Sequence, residues 1–547
     1  MAMLTEAECP ECTSHAYCTV CYNRRGGIAV LPLHSVRTPF MEHPGSRSLQ
    51  IECIEETDII NDFVHHSMGE IMKEEIRKEK GKNKVKTSRR GTDTKNVSMK
   101  TVSGKTIKKT AGGPEKPGKN ASSKPSPGTK AGERAENRKD SPKKKRSRCG
   151  VSGLCGGCSM INMPYDEQIR GKQKVLDDLI GEFVIPDKFI RMKAPDHYRF
   201  KVTSVFAPDK KGKPACGIYR EGTHEVIPVK SCLIENIQAD RIIQTIFSLL
   251  PSFRIHVYDE DMDIGLLRYV QVRVARATKE IMVTLVMTDP VLPSRNTFVR
   301  ELTKRHPEIT TIIINVNDRN TTMVLGNRET VIYGKGYIED VLCGKRFRIS
   351  SRSFYQVNPL MTEKLYNIAI DAAALTGKET VLDTYCGIGT IGIIAAPHAR
   401  RVVGIELNAD AVRDAQQNIK MNGLDNIEIL QGDATEFMIE MAQNGTKADV
   451  IFMDPPRSGS TEEFMRAACD ISPKKIVYIS CSPWSLQRDL EFFTENGYEA
   501  RMAIPVDMFP YTSGIETVVL LSDKKIDGHI NIDLDVEKLE DKSVASK

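Results

Sequence analysis

Residues 475–489, Lys-Ile-Val-Tyr-Ile-Ser-Cys-Ser-Pro-Trp-Ser-Leu-Gln-Arg-Asp, read as a short apolar strand that delivers Cys481 onto a Pro-containing turn ahead of a helix. A cysteine at the carboxyl edge of an α/β sheet stands where ligands bind, whereas a buried one is an inert small hydrophobe. Its company favours the reactive reading. Asp454-Pro-Pro-Arg457 and a Gly-rich loop at 387–389 end earlier strands of the same alternation, so three loops are expected to converge beside the thiol. Glu516, in Tyr-Thr-Ser-Gly-Ile-Glu-Thr-Val-Val-Leu-Leu, is a lone carboxylate entering an apolar strand. Burying an unpaired acid costs free energy, which marks it as a functional candidate.

Val-Leu-Asp-Thr-Tyr-Cys-Gly-Ile-Gly-Thr-Ile-Gly at 381–392 is a strand, a glycine turn and a helix start, but not the G-x-G-x-x-G fingerprint that cradles a pyrophosphate. Glu406 ends the next strand, Val-Val-Gly-Ile-Glu, where a carboxylate accepts from ribose hydroxyls; Asp433 ends the third strand, in reach of an adenine amine. Nucleoside recognition without a phosphate cradle points to S-adenosylmethionine. The competing account is that Asp383, Glu406 and Asp433 cap the helices that follow them. Amine methylases place an aromatic after Asp-Pro-Pro; here the residue is Arg457, which favours methylation of carbon. The C5 of uracil is a poor nucleophile until a thiolate adds to C6, and a base must afterwards remove the C5 proton so that the thiolate can leave. Cys481 and Glu516 supply those two groups. Cytosine-5 methylation uses the same thiolate but needs an acid at N3, and the Asp-Pro-Pro-Arg segment offers none.

Cys149-Gly-Val-Ser-Gly-Leu-Cys155-Gly-Gly-Cys158 holds three cysteines in ten residues, cushioned by four glycines. Such a loop can converge its thiolates on an iron–sulfur cluster, whose fourth ligand must come from elsewhere. Cys232 is the nearest plausible donor and Cys216 the runner-up, and zinc stays open on ligand type. The reaction moves no net electrons. A cluster is therefore expected to hold this loop against the β-rich domain, apart from the methyl-transfer residues.

The elements that position these residues follow from periodicity. After 346, strands at 380–383, 401–407, 427–431, 449–453 and 475–480 alternate with helices, and 498–505 and 515–522 close a seven-stranded, doubly wound α/β sheet. Upstream, 198–345 alternates apolar and polar residues over short runs and reads as an antiparallel, β-rich domain, with Arg199, Lys201, Arg220, Arg268, Arg273 and Arg276 along its strands. Those cations fit a solvated face or an RNA-facing one. Residues 164–180 form an amphipathic helix. The resulting division is 1–76, 77–148, 149–197, 198–345, 346–524 and a flexible tail, 525–547.

Composition bounds the partners. The net charge is +6, but residues 73–148 carry 26 Lys/Arg against 8 Asp/Glu, a net of +18 that leaves the remainder at −12. That Lys-, Gly- and Ser-rich stretch cannot offset its chain entropy by burial, so 77–147 is expected to be a disordered arm that raises RNA affinity by counterion release. Cys9, Cys12, Cys18 and Cys21 make two C-x-x-C pairs that suit a small zinc knuckle or an unmetallated segment. No apolar run approaches a membrane span and the start lacks a signal-peptide pattern, so a cytoplasmic chain with thiols rather than disulfides is expected. Nothing calls for a membrane or an obligate protein partner.

Five segments in order, Phe-Tyr-Gln-Val-Asn-Pro at 354–359, Asp-Thr-Tyr-Cys-Gly-Ile-Gly at 383–389, Asp-Pro-Pro-Arg at 454–457, Ser-Cys-Ser-Pro at 480–483 and Val-Asp-Met-Phe-Pro at 506–510, resemble the S-adenosylmethionine-dependent RNA uracil-5-methyltransferases, and within them the cluster-containing 23S ribosomal RNA branch. The resemblance spans about 149–522. It implies a class I, Rossmann-like methyltransferase fold, with Gln356, Tyr385, Glu406 and Asp454 at the cofactor, Cys481 as nucleophile, Glu516 as base and Cys149, Cys155, Cys158 and Cys232 as [4Fe–4S] ligands. It also implies 23S ribosomal RNA as substrate, ahead of transfer RNA or a silent RNA-binding protein that kept the fold. The chain departs from the family where Tyr511 and Gly514 replace frequent histidines, where Phe200 replaces a frequent asparagine, and where no five-stranded barrel precedes the cysteine loop.

Overall fold

The structure, a computed structural model, describes residues 147–525 and two short N-terminal strands, β1 (Val20–Tyr22) and β2 (Ile28–Val30), which pair antiparallel. The expected basic arm and C-terminal tail lie outside the described residues, as do Cys9, Cys12, Cys18 and the side chain of Cys21. Among the described residues no helix is long and apolar enough to cross a membrane.

The central region builds a seven-stranded sheet from β3 (Lys201–Pro208), β4 (Pro214–Tyr219), β5 (Val226–Pro228), β6 (Leu267–Val274), β7 (Ile281–Met287), β8 (Ile309–Val316) and β9 (Arg328–Tyr333), in the order β5-β4-β3-β6-β7-β8-β9. It corrects the antiparallel expectation in two ways. The β7–β8 pair is parallel, and a parallel return needs a crossover of a dozen or more residues, supplied here by the helix Arg295–Arg305. A second helix, Ile237–Phe253, places Ala239, Ile242, Ile243, Ile246, Leu249 and Leu250 on one face and starts at Asn236, whose side chain accepts from the Gln238 and Ala239 amides. Both helices pack on the same sheet face, against Val270, Val272 and Val274 of β6 among others.

The C-terminal sheet has the expected seven strands: β12 (Thr380–Thr384), β13 (Arg401–Glu406), β14 (Ile427–Gln431), β15 (Val450–Met453), β16 (Lys475–Ser480), β17 (Tyr498–Val506) and β18 (Glu516–Asp523). Their order is β14-β13-β12-β15-β16-β18-β17, with only β18 antiparallel to its neighbours. Strand order reverses between β12 and β15, and a crevice opens at the carboxyl ends of such a switch point. Before this sheet, β10 (Ile338–Leu342) and β11 (Lys345–Ile349) form a hairpin through Cys343-Gly344, both at positive φ, 49° and 73°, as a two-residue primed turn requires. Ile338, Leu342, Phe347 and Ile349 share a core with Leu365 and Val381, so the hairpin packs with the C-terminal sheet across the expected 345/346 division.

The helix Tyr165–Ile180 is joined to the C-terminal sheet by a fully buried ion pair, Lys172 Nζ to Asp507 Oδ1 at 2.6 Å with both side chains at 0 % exposure. Tyr165 donates to the other Asp507 oxygen and Lys172 also donates to the Phe509 carbonyl. Removing one partner of such a pair strands a buried charge and costs about 3–5 kcal/mol. Lys172→Met is therefore expected to lower unfolding free energy by about that much in urea titration, whereas Lys174→Met, in an exposed i,i+4 pair with Asp178, should change it by under about 0.5 kcal/mol.

Candidate active site

The loop after β12 turns through Tyr385 and Gly387 at φ 64° and 56°. A tyrosine in the left-handed region is strained, a condition that persists where surrounding structure enforces it and that clusters at ligand sites. The turn is held by Glu406, at the end of β13, whose Oε2 accepts from the Gly387 amide at 2.9 Å and whose Oε1 accepts from Asn408 at 2.7 Å. Beneath it lies Asp383. Its Oδ2 accepts from the Gly392 amide at 2.7 Å, while Oδ1 is buried without a partner.

This turn forms one wall of a pocket whose other residues include Gln356, Thr362, Tyr366 and Asp454, with Phe354, 64 % exposed, at its lining. Gln356, Tyr385 and Asp454 are thereby brought together, and Glu406 reaches the same wall through Gly387. Asp433 is not in it. Its Oδ1 accepts from the Thr435 and Glu436 amides and caps the helix Ala434–Gln443, the arrangement that the capping account anticipates. Thr362 and Tyr366 were not singled out in sequence. With Asn358, which caps the helix Pro359–Ala373, they recur every four residues, a spacing that sets side chains on one helix face.

Cys481 follows β16 directly, and Ser480 stands opposite Thr517 in the β16–β18 register. One step further, Cys481 faces Glu516. Burial is the main force on both: it raises the Cys481 thiol, and it holds the Glu516 carboxyl, 3 % exposed, well above the usual carboxylate range. Glu516 and Asp454 add to the rise at Cys481, Asp454 adds to that at Glu516, and Arg457 opposes both. Burial likewise lifts Asp454 to about 7. Three acidic groups thus crowd one cation, and the thiol and the Glu516 carboxyl are both biased toward their neutral forms.

The cysteine loop corrects the expectation that it stands apart from the methyl-transfer region: Arg148 donates to the Tyr511 hydroxyl at 2.7 Å and pairs with Asp196, and the Met160 amide donates to the Tyr511 carbonyl. Tyr511 lies five residues before Glu516. Cys216, the runner-up ligand, sits in the central core with its sulfur accepting from Gln244. Cys149, Cys155, Cys158 and Cys232 are free, half-buried thiols. Burial raises Cys158, and Cys232, Cys155 and Cys149 each add to the rise, so all four lie within electrostatic reach of one another's centre. As the side chains stand, no group of three or more His, Cys, Asp or Glu among the described residues is arranged to hold a metal ion.

A family model described as tRNA (Uracil-5-)-methyltransferase matches residues 164–524. An uncharacterized RNA methyltransferase of Halalkalibacterium halodurans is 39% identical over 386 residues, covering 70% of this chain and 84% of the relative. One of Caldanaerobacter subterraneus subsp. tengcongensis is 41% identical over 377 residues, covering 68% and 83%. Among solved structures, the Pyrococcus abyssi tRNA (uracil-54, C5)-methyltransferase in complex with S-adenosyl-L-homocysteine superposes with a TM-score of 0.56 at 24% identity, covering 68% of this chain and 86% of that one. That likeness concerns the fold.

The buried acids predict a pH signature. Asp383 and Asp454 rise from 3.8 to about 7, chiefly by burial, so folding favours their protonated forms. That stabilisation is complete below about pH 4 and is lost as pH climbs through about 7. Asp383→Asn keeps an acceptor for Gly392 and should flatten the fall in melting temperature across this window; an unchanged slope would show that Asp383 does not carry it.

Proposed function

The chain belongs to the tRNA (uracil-5-)-methyltransferase family and is an S-adenosylmethionine-dependent RNA methyltransferase, and on that premise we propose that it methylates C5 of a uridine in 23S ribosomal RNA through Cys481. The observation that carries this reading is the β16–β18 register, which sets a thiol opposite a buried carboxylate beside the Asp-Pro-Pro-Arg turn. Gln356, Tyr385, Glu406 and Asp454 are assigned to the cofactor and target side of the pocket, and Asp433, outside its lining, to the far end of the cofactor. In Asp433 only the oxygen not engaged in the cap, Oδ2, is assigned to the adenine amine.

Cys481 gives its proton to the Asp454 carboxylate, leaving Glu516 in the ionised form that Arg457 favours, and its sulfur bonds to C6 of the uracil, moving the C5–C6 π pair into an enolate. Bound S-adenosylmethionine supplies an electrophilic methyl for C5. Glu516, made more basic by burial, then takes the C5 proton; the released pair restores the C5–C6 double bond and expels the thiolate. Arg457 is the cation that favours both anionic forms as they arise. The cytoplasm is the proposed place of action.

We assign a [4Fe–4S] cluster to Cys149, Cys155, Cys158 and Cys232. What supports the assignment is donor chemistry, four free thiols, three of them on a loop whose Gly153 and Gly156 take positive φ, with the side chains not converged as they stand. Such a cluster, when bound, would cross-link the loop, since the reaction moves no net electrons. The description of the family and the substrate of the Pyrococcus abyssi protein keep transfer RNA as the second reading.

Incubation with labelled cofactor and either RNA, followed by mapping of 5-methyluridine, tests the substrate. Cys481→Ser is expected to lose turnover by at least about 1,000-fold with cofactor binding retained, because a serine hydroxyl is a far weaker anion source. Glu516→Gln should instead accumulate an RNA–protein adduct that survives denaturing gels. Full activity in the first variant, or activity without adduct in the second, overturns the covalent route. The chain purified anaerobically should carry about four irons, and Cys155→Ala should lose iron and thermal stability together. Zinc in place of iron would end that assignment.

A further inference from the structure

The central sheet buries one face under its two helices, and the opposite face sets a polar group among apolar residues such as Met282, Val286 and Ile313. On β6 the side chains of Val270, Val272 and Val274 go to the helices, so Gln271 and Arg273 alternate to the other side. Register then sets Lys201 beside Arg273, and Thr284 beside Gln271. Three of these four side chains are more than nine-tenths buried, with Gln271 and Arg273 at 3 % exposure and Thr284 at 1 %. All three carry polar atoms with no partner: Gln271 Oε1, Arg273 Nε and Nη1, and Thr284 Oγ1.

So many adjacent orphans are not a solved core. Each buried unpaired polar group costs about 1–3 kcal/mol, and natural folds carry few of them. Their chemistry is cationic and hydrogen-bonding together. Burial and the neighbouring charges of Arg273 and Arg199 pull Lys201 down to about 7, and burial pulls Arg273 down to about 10. Asp414, the carboxylate that acts on Arg273, is already engaged by the Ser350 amide and the Ser353 hydroxyl. Glu329, the acid on this face, is likewise engaged, by the Asn315 amide group and the Ser351 hydroxyl, so Lys201 and the free Arg273 nitrogens have no carboxylate of their own. The face also adjoins the pocket: Arg273 Nη2 donates to the Ser353 carbonyl at 2.9 Å, the Phe200 amide donates to the Val357 carbonyl at 2.7 Å, and the 354–356 segment between them lines the pocket.

We infer that Lys201, Gln271, Arg273 and Thr284 form a binding site for a phosphodiester of the RNA strand whose uridine enters the pocket. The inference rests on the RNA methyltransferase reading and adds a subsite to it. A phosphate oxygen accepts from the free guanidinium nitrogens, from the Lys201 ammonium and from the Thr284 hydroxyl, which answers the charge deficit and the orphaned donors at once. Gln271 Oε1, an acceptor, is left for a ribose hydroxyl beside that phosphate.

Two variants of the full chain test this, with poly(U) as the RNA probe and S-adenosylhomocysteine binding as the control for folding. Lys201→Gln should weaken poly(U) binding about 10-fold and reduce the slope of log K against log salt by about 0.7, the loss of one single-strand phosphate contact. Thr284→Val removes a buried hydroxyl without changing shape. It should raise the melting temperature while weakening poly(U) binding, a pairing that a merely structural residue does not produce. Unchanged poly(U) affinity and salt slope in both folded variants, or no poly(U) binding by the unaltered chain, overturns the site. Absence of methyl transfer to ribosomal and transfer RNA with the poly(U) results intact would instead overturn the proposed reaction and leave the site standing.

Discussion

The Lys172–Asp507 ion pair is the constraint on which the arrangement of the reactive end depends. Both side chains are wholly removed from water, and the desolvation of two such charges is tolerated only when geometry is good and the remaining hydrogen-bonding capacity is filled. Tyr165 and the Phe509 carbonyl fill it. The consequence is geometric. Asp507 follows β17 directly and Tyr511 precedes Glu516 by five residues, so the pair, with the Gln168 side chain accepting from the Tyr511 amide, fixes the turn that aims β18. The helix Tyr165–Ile180 therefore holds the candidate base in register with the candidate nucleophile.

The same turn joins the cysteine loop to the reaction. Arg148 and Met160 flank Cys149–Cys158 and both hydrogen-bond to Tyr511, while Cys232 follows β5 of the central sheet and its amide donates to Asp240. The proposed cross-link among those cysteines would tighten a three-way junction of loop, central sheet and β17–β18 turn, acting through position and not through electrons. Tyr511 is spent on this junction, accepting from Arg148 and donating to Asp196.

Legibility in the sequence tracked the range of the physics. The seven C-terminal strands were bounded to within one residue because short apolar runs ending in Gly, Pro or Asp leave little freedom. Cys481, Glu516 and Asp454 were readable because each violates an apolar run. The helix Arg295–Arg305 was not, since it buries only Phe298 and Leu302, too few to set a 3.6-residue period. Without that helix the β7–β8 pair reads as antiparallel. Lys172 and Asp507 are 335 residues apart, and no local pattern announces such a pair. The polar group on the central sheet was half visible: Lys201 and Arg273 were seen as strand cations, but their burial, which separates a site from a solvated surface, is set by cross-strand register.

On the proposed covalent route, the electrostatics of the site account for a thiol that reacts only beside its substrate. Burial raises the Cys481 thiol and the Glu516 carboxyl alike, and Asp454, lifted to about 7, adds to both. Each group makes ionisation of the next harder, so the free site favours neutral forms and Cys481 resists oxidation, which follows thiolate character. A planar base inserted among these groups changes the balance, because a thiolate that forms is consumed by bond formation and Arg457 is present to stabilise the charge while it lasts. The site's low polarity, which disfavours the anion in the empty protein, then strengthens every charge interaction made with the base in place. Reactivity is in this way conditional on occupancy, and the condition is set by burial acting on three acids and one arginine.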